Sequence, residues 1–183
     1  MGIITLNKEP INGTKNGAYN NGIWNSLIKM NSKNYRERVE CLIIKGNKVF
    51  LSINPNKNKP YKIPGGSSEP GITLKEQLQN ECNEEAKIII SNPKFILAYD
   101  KDYTHKDYTN NLPFEYDAYL CYLYIANYKA PYTGFIKDED LDNDMYNYGK
   151  FYDISKIYYK LNEYHKIALK EYLPSFGIES LFN

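Results

Sequence analysis

Apolar and polar residues follow two different spacings along this chain, and these spacings predict its strands and helices. Val39–Lys45 and Val49–Ile53 are rich in β-branched residues, and Gly46-Asn47 between them is a two-residue hairpin signal. Four further apolar segments predict strands: Ile88–Ser91, Phe95–Tyr99, Tyr116–Ile125 and Lys150–Asp153. We therefore expect a hairpin to open a structure that contains several strands.

Two helices are predicted. The first runs from Leu74 to near Lys87, because Thr73 and Glu76 form a capping box at its start. Its buried stripe repeats every four residues: Leu74, Leu78, Cys82 and Ala86. The second is Leu161–Leu173, which has helical spacing of its apolar residues and is followed by Pro174. The order of elements is therefore strands, helix, strands, helix.

The polar segments suggest how the chain is organised. Residues 1–35 are rich in Asn, Gly and Lys and have one apolar patch around Trp24, so we expect an N-terminal arm that docks at one point. Trp24 is either the anchor of this arm or, alternatively, a substrate contact. Residues 36–183 then form one domain. Within it, residues 100–113 form a polar connection and residues 127–147 a long acidic loop, and loops of that length are often functional.

Composition narrows the class of protein. Hydrophobic residues make up 42% of the 183 positions, which is typical of a globular chain. The net charge of +1 provides no field for nucleic acid or anionic lipid, so a phosphorylated partner must be held locally. Three cysteines without metal-ligand spacing and the lack of a long apolar run favour a soluble, cytoplasmic protein with no membrane partner.

The candidate chemistry lies on the first helix. Glu81, Glu84 and Glu85 are spaced i, i+3 and i+4, which places three carboxylates on one side of a helix. Like charges at that spacing destabilise a helix by about 0.2–0.5 kcal/mol per pair. A hard divalent cation, Mg²⁺ or Mn²⁺, would neutralise them and could take its other ligands from substrate phosphates. The alternative interpretation is a solvated helix face.

The stretch around these glutamates resembles the box of the Nudix (MutT-like) hydrolases. That family's pattern runs from a glycine through a glutamate to Arg-Glu, an apolar residue, any residue and Glu-Glu. Here the chain reads Gly66-Ser-Ser-Glu69-Pro-Gly71-Ile72, then residues 73–79, then Asn80-Glu81-Cys82-Asn83-Glu84-Glu85-Ala86-Lys87-Ile88. Tyr61-Lys62-Ile63-Pro64-Gly65-Gly66 resembles the aromatic-x-x-Pro-Gly-Gly sequence that often precedes the box. The resemblance extends over residues 38–153.

The box is degenerate, since three family positions are not kept. Ile72 stands where the family has a glutamate, Asn80 where it has an arginine, and Lys87 where it has the glycine that ends the helix. In the family the glutamate and arginine support each other, so losing both removes a pair and leaves no buried charge orphaned. We expect Lys87 to carry a modest structural cost at a position that favours positive φ.

The resemblance implies a fold, a site and a reaction. The fold is an α/β (α+β) class α/β/α sandwich with a mixed β-sheet between helices. Glu81, Glu84 and Glu85 are the implied metal ligands and catalytic residues, with Gly65 as a carbonyl ligand to Mg²⁺ (or Mn²⁺). Gly65, Gly66 and Glu69 are the implied substrate contacts. The implied reaction is hydrolysis of a nucleoside diphosphate linked to another moiety, with Glu81 or Glu84 able to orient the water.

A further base is expected from a distal loop. The acidic candidates are Glu115, Asp117, Glu139, Asp142 and Asp144. Position within the acidic loop favours Glu139 as the catalytic residue, and a solvated loop is the alternative. His105 and His165 have no partner pattern for nucleophilic catalysis, and no Walker loop, Cys-x-x-Cys pair or G-x-S-x-G elbow is present.

Two other functions remain open. The three lost positions would also suit a Nudix-fold module that binds a nucleotide or a protein without turnover. A purely structural component that uses the fold as a spacer is the third alternative. The expected partner of the hydrolase is a small nucleotide-type phosphorylated substrate, and a homodimer is left open.

Overall fold

The computed structural model describes residues 2–14, 17–20, 23–56, 61–102 and 116–176. The strands are β1 (Ile3–Ile4), β2 (Gly17–Asn20), β3 (Ile23–Met30), β4 (Lys33–Lys45), β5 (Lys48–Ile53), β6 (Tyr61–Lys62), β7 (Gly65–Ser67), β8 (Ile88–Asp102), β9 (Ala118–Pro131) and β10 (Gly149–Asp153). The α-helices are α1 (Leu74–Glu81), α2 (Asn143–Tyr148), α3 (Ile154–Ile157) and α4 (Glu163–Tyr172). A π-helical turn, Cys82–Ala86, continues α1.

Strand β4 organises the sheet. It pairs in parallel with β9 from Tyr35↔Ala118 to Ile44↔Asn127, and antiparallel with β3, β5 and β7. Strand β9 in turn pairs antiparallel with β8, and β8 with β1. The sheet is therefore mixed, as the sequence resemblance implies.

Helices cover both faces of this sheet, because alternate residues of a strand point to opposite faces. On one face, Leu74 and Leu78 of α1 pack in a cluster with Val39 and Cys41 of β4. On the other, Leu169 of α4 packs in a cluster that includes Leu42, Ile44 and Leu123. The predicted α/β/α sandwich of the α+β class is confirmed.

Most of the predicted elements are present. The hairpin joins β4 to β5 through Gly46, whose φ is 60°, with Lys45 opposite Lys48. The two strands predicted at Ile88–Ser91 and Phe95–Tyr99 are one strand, β8, whose register with β9 shifts between Ser91 and Lys94. Asn92 has a positive φ of 50° there, so an irregularity interrupts the pattern without ending the strand.

The N-terminal segment has more regular structure than the sequence pattern indicates. Within residues 1–35, β1 pairs with β8 and β3 pairs with β4, so this segment contributes strands to the sheet in addition to any docking point. Trp24 lies in β3 opposite Tyr19 of β2, and its side chain is outside the described residues. The β1–β8 pairing joins distant parts of the chain, which a local pattern does not reveal, whereas β3 and β4 are joined through Asn31-Ser32. The division into an arm and a domain at residue 35 remains a prediction.

The prediction of one long acidic loop at residues 127–147 is wrong, because much of this segment has regular secondary structure. Strand β9 continues to Pro131, a 3₁₀ turn covers Asp138–Asp140, and α2 begins at Asn143. One apolar residue explains the helix: Met145 is fully buried, and its N–H donates to the Asp142 carboxylate at 3.0 Å. Among the helices in the described ranges, none is long and apolar enough to cross a membrane.

Candidate functional site

The loop between β7 and α1 is fixed at both ends. Strand β7 pairs with β4, which sets Gly66 opposite Val39. At the other end both capping-box bonds are present: Glu76 N–H donates to Thr73 Oγ1 at 3.1 Å, and Thr73 N–H donates to Glu76 Oε2 at 3.2 Å. The helix therefore starts where the sequence predicts, directly beside the central strand.

The acidic part of the helix is not a regular α-helix. After Glu81 the backbone widens into the π-helical turn Cys82–Ala86, so the three glutamates do not follow simple α-helical spacing. Such turns are frequent at functional sites. Lys87 ends the turn in the left-handed conformation, with φ 51° and ψ 46°, at the position where the family has glycine. The Lys87 carbonyl accepts a hydrogen bond from Tyr132 N–H at 2.9 Å. This bond connects the residue that follows β9 to the end of the helix.

Gly65 and Gly66 hold two of the glutamates in place. Gly65 N–H donates to Glu85 Oε2 at 3.0 Å. Gly66 has no side chain, and the Glu81 carboxylate occupies the space that a Cβ there would need. Gln77 Nε2 donates to Glu81 Oε1 at 2.8 Å. The two glycines predicted to contact the substrate thus orient carboxylates, and the carbonyl-ligand role of Gly65 remains a prediction.

The electrostatics of the three glutamates show uncompensated negative charge. Burial, and then the charge of Glu85, raises the pKa of Glu81 to about 7. Burial, followed by the charges of Glu81 and Asp140, raises the pKa of Glu84 to about 7. Burial also raises the pKa of Glu85, although Lys62 and the Gly65 amide oppose that shift. A bound cation would reverse these shifts, since it favours the ionised carboxylates.

A cavity of about 320 Å³ lies over this part of the helix. It is lined by Arg36, Ser67, Glu69, Ile72, Gln77, Asn80, Glu81, Glu84 and Asp140. A second cavity of about 250 Å³ is lined by Asn80, Asn83, Glu84, Tyr132, Phe135, Ile136, Lys137 and Asp140. Asn80, Glu84 and Asp140 line both, so the two cavities adjoin at Glu84. Of the predicted site residues, Glu69, Glu81 and Glu84 share the first cavity.

The distal candidates lie elsewhere. Glu139 is exposed, and its Oε1 lies 3.9 Å from Lys137 Nζ. Asp142 caps α2 and pairs with Lys62. Asp117 accepts a hydrogen bond from Asn34 N–H at 2.7 Å. Glu115, His105 and the side chain of Asp144 are outside the described residues.

Asp140 is the acidic loop residue that reaches the cavities. The sequence analysis names Glu139 and not Asp140 among the candidate bases, although nothing local distinguishes one carboxylate of Asp138-Glu139-Asp140 from the next. The structure separates them through the 3₁₀ turn, which aims Asp140 toward Glu84. Asp140 is therefore the better candidate for the distal acidic residue.

Two arginines on β4 were also missed. Arg36 lines the first cavity, and Arg38 is close enough to influence the charge of both Glu81 and Glu85. The guanidinium carbon of Arg38 lies 4.9 Å from the centre of the Tyr119 ring. Both arginines are on one face of the strand, two residues apart, and that spacing is the signal that could have indicated them.

The donor set fits a hard divalent ion that keeps part of its water shell. Within the described ranges, no three carboxylate, histidine or cysteine groups converge closely enough to surround one ion. Mg²⁺, however, is usually held by one or two carboxylates together with waters and substrate phosphates. Glu81 and Glu84 line one cavity and their pKa values are raised, so they provide oxygen ligands with charge that a cation would neutralise.

Several solved structures with a similar fold are named as hydrolases. No protein-family profile and no curated protein sequence matches the chain. A Nudix hydrolase from Nitrosomonas europaea superposes with a TM-score of 0.53 at 17% identity, covering 77% of this chain and 90% of that one. The Bacillus subtilis pyrophosphohydrolase BsRppH gives 0.50 at 15%, covering 90% and 99%. An ADP compounds hydrolase gives 0.51 at 13%, covering 85% and 87%.

Identities this low are informative about the fold alone. The similarity covers most of each chain, and the mixed sheet, the glycine loop and the helix that follows it are arranged as the sequence resemblance implies. The chain therefore has the fold of the Nudix hydrolases.

Proposed function

We propose that this protein is a metal-dependent hydrolase that cleaves the pyrophosphate bond of a nucleoside diphosphate linked to another moiety. The observation that carries the proposal is the shared cavity of Glu69, Glu81 and Glu84, which Arg36 borders on the β4 side. Carboxylates that would bind a cation beside a guanidinium that would bind a phosphate suit a phosphorylated substrate. The low-identity similarity to hydrolases supports the same class of reaction.

Each residue has a distinct role in this proposal. Glu81 and Glu84 would hold Mg²⁺ or Mn²⁺ together with waters and substrate phosphates, and Glu85 stays a predicted third ligand. The ion, when bound, would supply neutralisation of phosphate charge and a more acidic water. The Gly65 amide and Gln77 keep Glu85 and Glu81 oriented. Glu84 and Asp140 line both cavities, so either carboxylate is placed to take a proton from the attacking water.

The two adjoining cavities support a substrate with groups on both sides of its phosphates. The first cavity offers Arg36, and the second offers Tyr132 and Phe135. Phe135 is 89% exposed, so its ring is accessible to a ligand beside the polar site. An aromatic surface of this kind can stack on a base or pack against another planar group. The linked moiety would lie there while the phosphates lie near Glu84.

The test is product release from a panel of substrates: nucleoside triphosphates, ADP-ribose, dinucleoside polyphosphates and capped RNA, each with Mg²⁺ or Mn²⁺. We expect metal-dependent turnover in the wild type and its loss in Glu84→Gln. Glu163→Gln is the matched control, because Glu163 is an exposed glutamate on α4 that pairs with Lys166. Glu163→Gln should retain full turnover.

The competing function is a binding module without turnover. Ile72 and Asn80, which replace the family's charged pair, line the cavity itself, and this favours a site changed for binding. That function predicts a ligand-induced rise in melting temperature with no product from any substrate, and equal behaviour of Glu84→Gln and wild type. Either result would contradict the hydrolase proposal.

A further inference from the structure

A short N-terminal segment is hydrogen-bonded to the loop that forms one wall of the cavity. We call residues 11–14 the brace. Leu74 N–H, at the first turn of α1, donates to Ile11 O at 2.8 Å, and Gly13 N–H donates to Ile72 O at 3.3 Å. The first bond satisfies one of the N–H groups that a helix start leaves without an intrahelical partner. The brace thus binds the chain at the point where the loop ends and α1 begins.

The brace also packs against the middle of the loop. A Cβ at Gly13 would lie 2.5 Å from Ser68 Oγ, 2.6 Å from Ser26 Oγ and 2.9 Å from the Glu69 carbonyl. Because one of these neighbours is backbone, it cannot move aside without moving the loop. Glu69 lines the cavity, so the fit at Gly13 fixes the position of a cavity residue.

The other end of the brace is anchored in the sheet. Thr14 N–H donates to Glu37 Oε1 at 3.0 Å, and the Thr14 hydroxyl donates to the same carboxylate. Glu37 is 1% exposed, and its second oxygen accepts from Tyr122 O–H at 2.6 Å. A buried carboxylate held by several donors is costly to disturb. The brace is therefore bound to β4 on one side and to the loop on the other.

We propose that the brace is a positioning element of the candidate active site. It holds Glu69 and Ile72 in the cavity wall and fixes the start of α1, and by doing so it sets the affinity of the site for a divalent ion. Ile72 in the loop and Asn80 on α1 replace the charged pair of the Nudix box, so no ion pair joins the loop to the helix at these positions. The brace bonds to the loop backbone at Ile72. This inference rests on the proposed metal-dependent function.

The test compares Gly13→Ala with Gly2→Ala in the intact chain. A Cβ at Gly13 collides with the loop, whereas a Cβ at Gly2 has nothing within 4 Å, so Gly2→Ala is the matched control. We expect Mn²⁺ binding, measured by calorimetry below the melting temperature of every variant, to be about 10-fold weaker in Gly13→Ala, as for residues that orient metal ligands. Gly2→Ala should bind Mn²⁺ as the wild type does.

Hydrogen exchange of the backbone amides of residues 68–74, without metal, gives a second readout. Exchange there should become faster in Gly13→Ala and stay unchanged in Gly2→Ala. If Gly13→Ala does not fold, Thr14→Val replaces it, with Thr14→Ser as the control that keeps the hydroxyl. Unchanged exchange or unchanged Mn²⁺ affinity overturns the inference. A wild type that binds no Mn²⁺ overturns the proposed function instead, and the exchange data still decide whether the brace holds the loop.

Discussion

The carboxylate of Glu81 occupies the space in which the Cβ of any residue other than glycine would lie at position 66. This relationship links the glycine loop to the helix, because the Glu81 carboxylate can lie against β7 only while position 66 has no side chain. Gln77 holds the same carboxylate from the helix side. The orientation of Glu81 is thus determined by a glycine on one element and an amide on another.

Gly66→Ala should therefore weaken metal binding while the protein remains folded. The new methyl group meets the flexible end of Glu81, so the side chain can leave at little cost to the fold. We expect Mn²⁺ affinity to fall by about 10- to 100-fold, as when the support of a metal ligand is removed. Calorimetric Mn²⁺ titration and the melting temperature, with Gly2→Ala as control, measure both effects. Wild-type affinity in Gly66→Ala would contradict the role given to this contact.

The metal-free protein should lose stability as pH rises from about 4.5 to 7. Glu81 and Glu84 have a pKa of about 7 in the fold and about 4.5 in the unfolded chain. Their contribution is present in full below pH 4.5 and is lost as the pH passes the folded value, because the native state then binds more protons than the unfolded state. Denaturant unfolding in EDTA, with and without excess Mn²⁺, measures it.

Glu84→Gln separates this contribution from other titrating groups. Without metal, the wild type should lose more stability than the variant between pH 4.5 and 7, because the variant has lost one of the two titrating carboxyls. The unfolding free energy of the variant minus that of the wild type should therefore increase over this range. Excess Mn²⁺ at pH 8 should stabilise the wild type more than the variant. A constant difference between the two proteins across this range would show that the carboxylate is not shifted.

Asp140→Asn should affect the site more than Glu139→Gln does. Asp140 lines both cavities and raises the pKa of Glu84, whereas Glu139 is exposed near Lys137. We expect Asp140→Asn to lower kcat by about 10²-fold or more, the size associated with loss of a general base. Glu139→Gln should stay close to wild type. The reverse order in a steady-state assay would restore Glu139 as the distal residue.

A second buried carboxylate lies on the opposite face of the sheet and governs acid stability. Burial raises the pKa of Glu40, but the hydrogen bond and charge of His165, with the charge of Arg38, outweigh it and lower the pKa to about 2. The Tyr99 hydroxyl donates to the same carboxylate. This contribution is present above about pH 4.5 and is lost as the pH falls toward 2.

Glu40→Gln should accordingly destabilise the protein by about 3 kcal/mol near pH 6, the size expected when a buried charged pair loses one partner. The difference from wild type should shrink as pH falls from 4.5 to 2. Urea unfolding at several pH values measures it, with the exposed Glu163→Gln as control. A difference that does not change with pH would mean that Glu40 is not ionised in the fold.

Features whose determinants lie within a few residues could be predicted from the sequence. The capping box of Thr73 and Glu76 forms both of its bonds, and the hairpin at Gly46 has the predicted length. Glu81 and Glu84, identified from their spacing after the glycine loop, line one cavity, and their metal-binding role stays a prediction. In each case the physical cause is a local hydrogen bond or a local conformational preference.

The features that could not be predicted depend on distant residues. The bond between Thr14 and Glu37 joins positions 23 residues apart, and the polar N-terminal sequence does not indicate it. Asp140 lines both cavities and Glu139 lines neither, although both belong to the same 3₁₀ turn and the sequence does not distinguish their positions. The π-helical turn at Cys82–Ala86 also leaves no periodic signal, because five residues are too few to show a change of period.

The proposed hydrolysis depends on a divalent ion that the glutamates of the helix would bind. A Mn²⁺ titration of the wild type and Glu84→Gln, monitored by calorimetry at pH 7.5 with Glu163→Gln as control, tests it; that pH is about three units above the unfolded pKa of these carboxyls. We expect saturable binding to the wild type and the control, and at least about 10-fold weaker binding to Glu84→Gln. Equal affinity in all three proteins, or no binding to the wild type, would contradict the proposal.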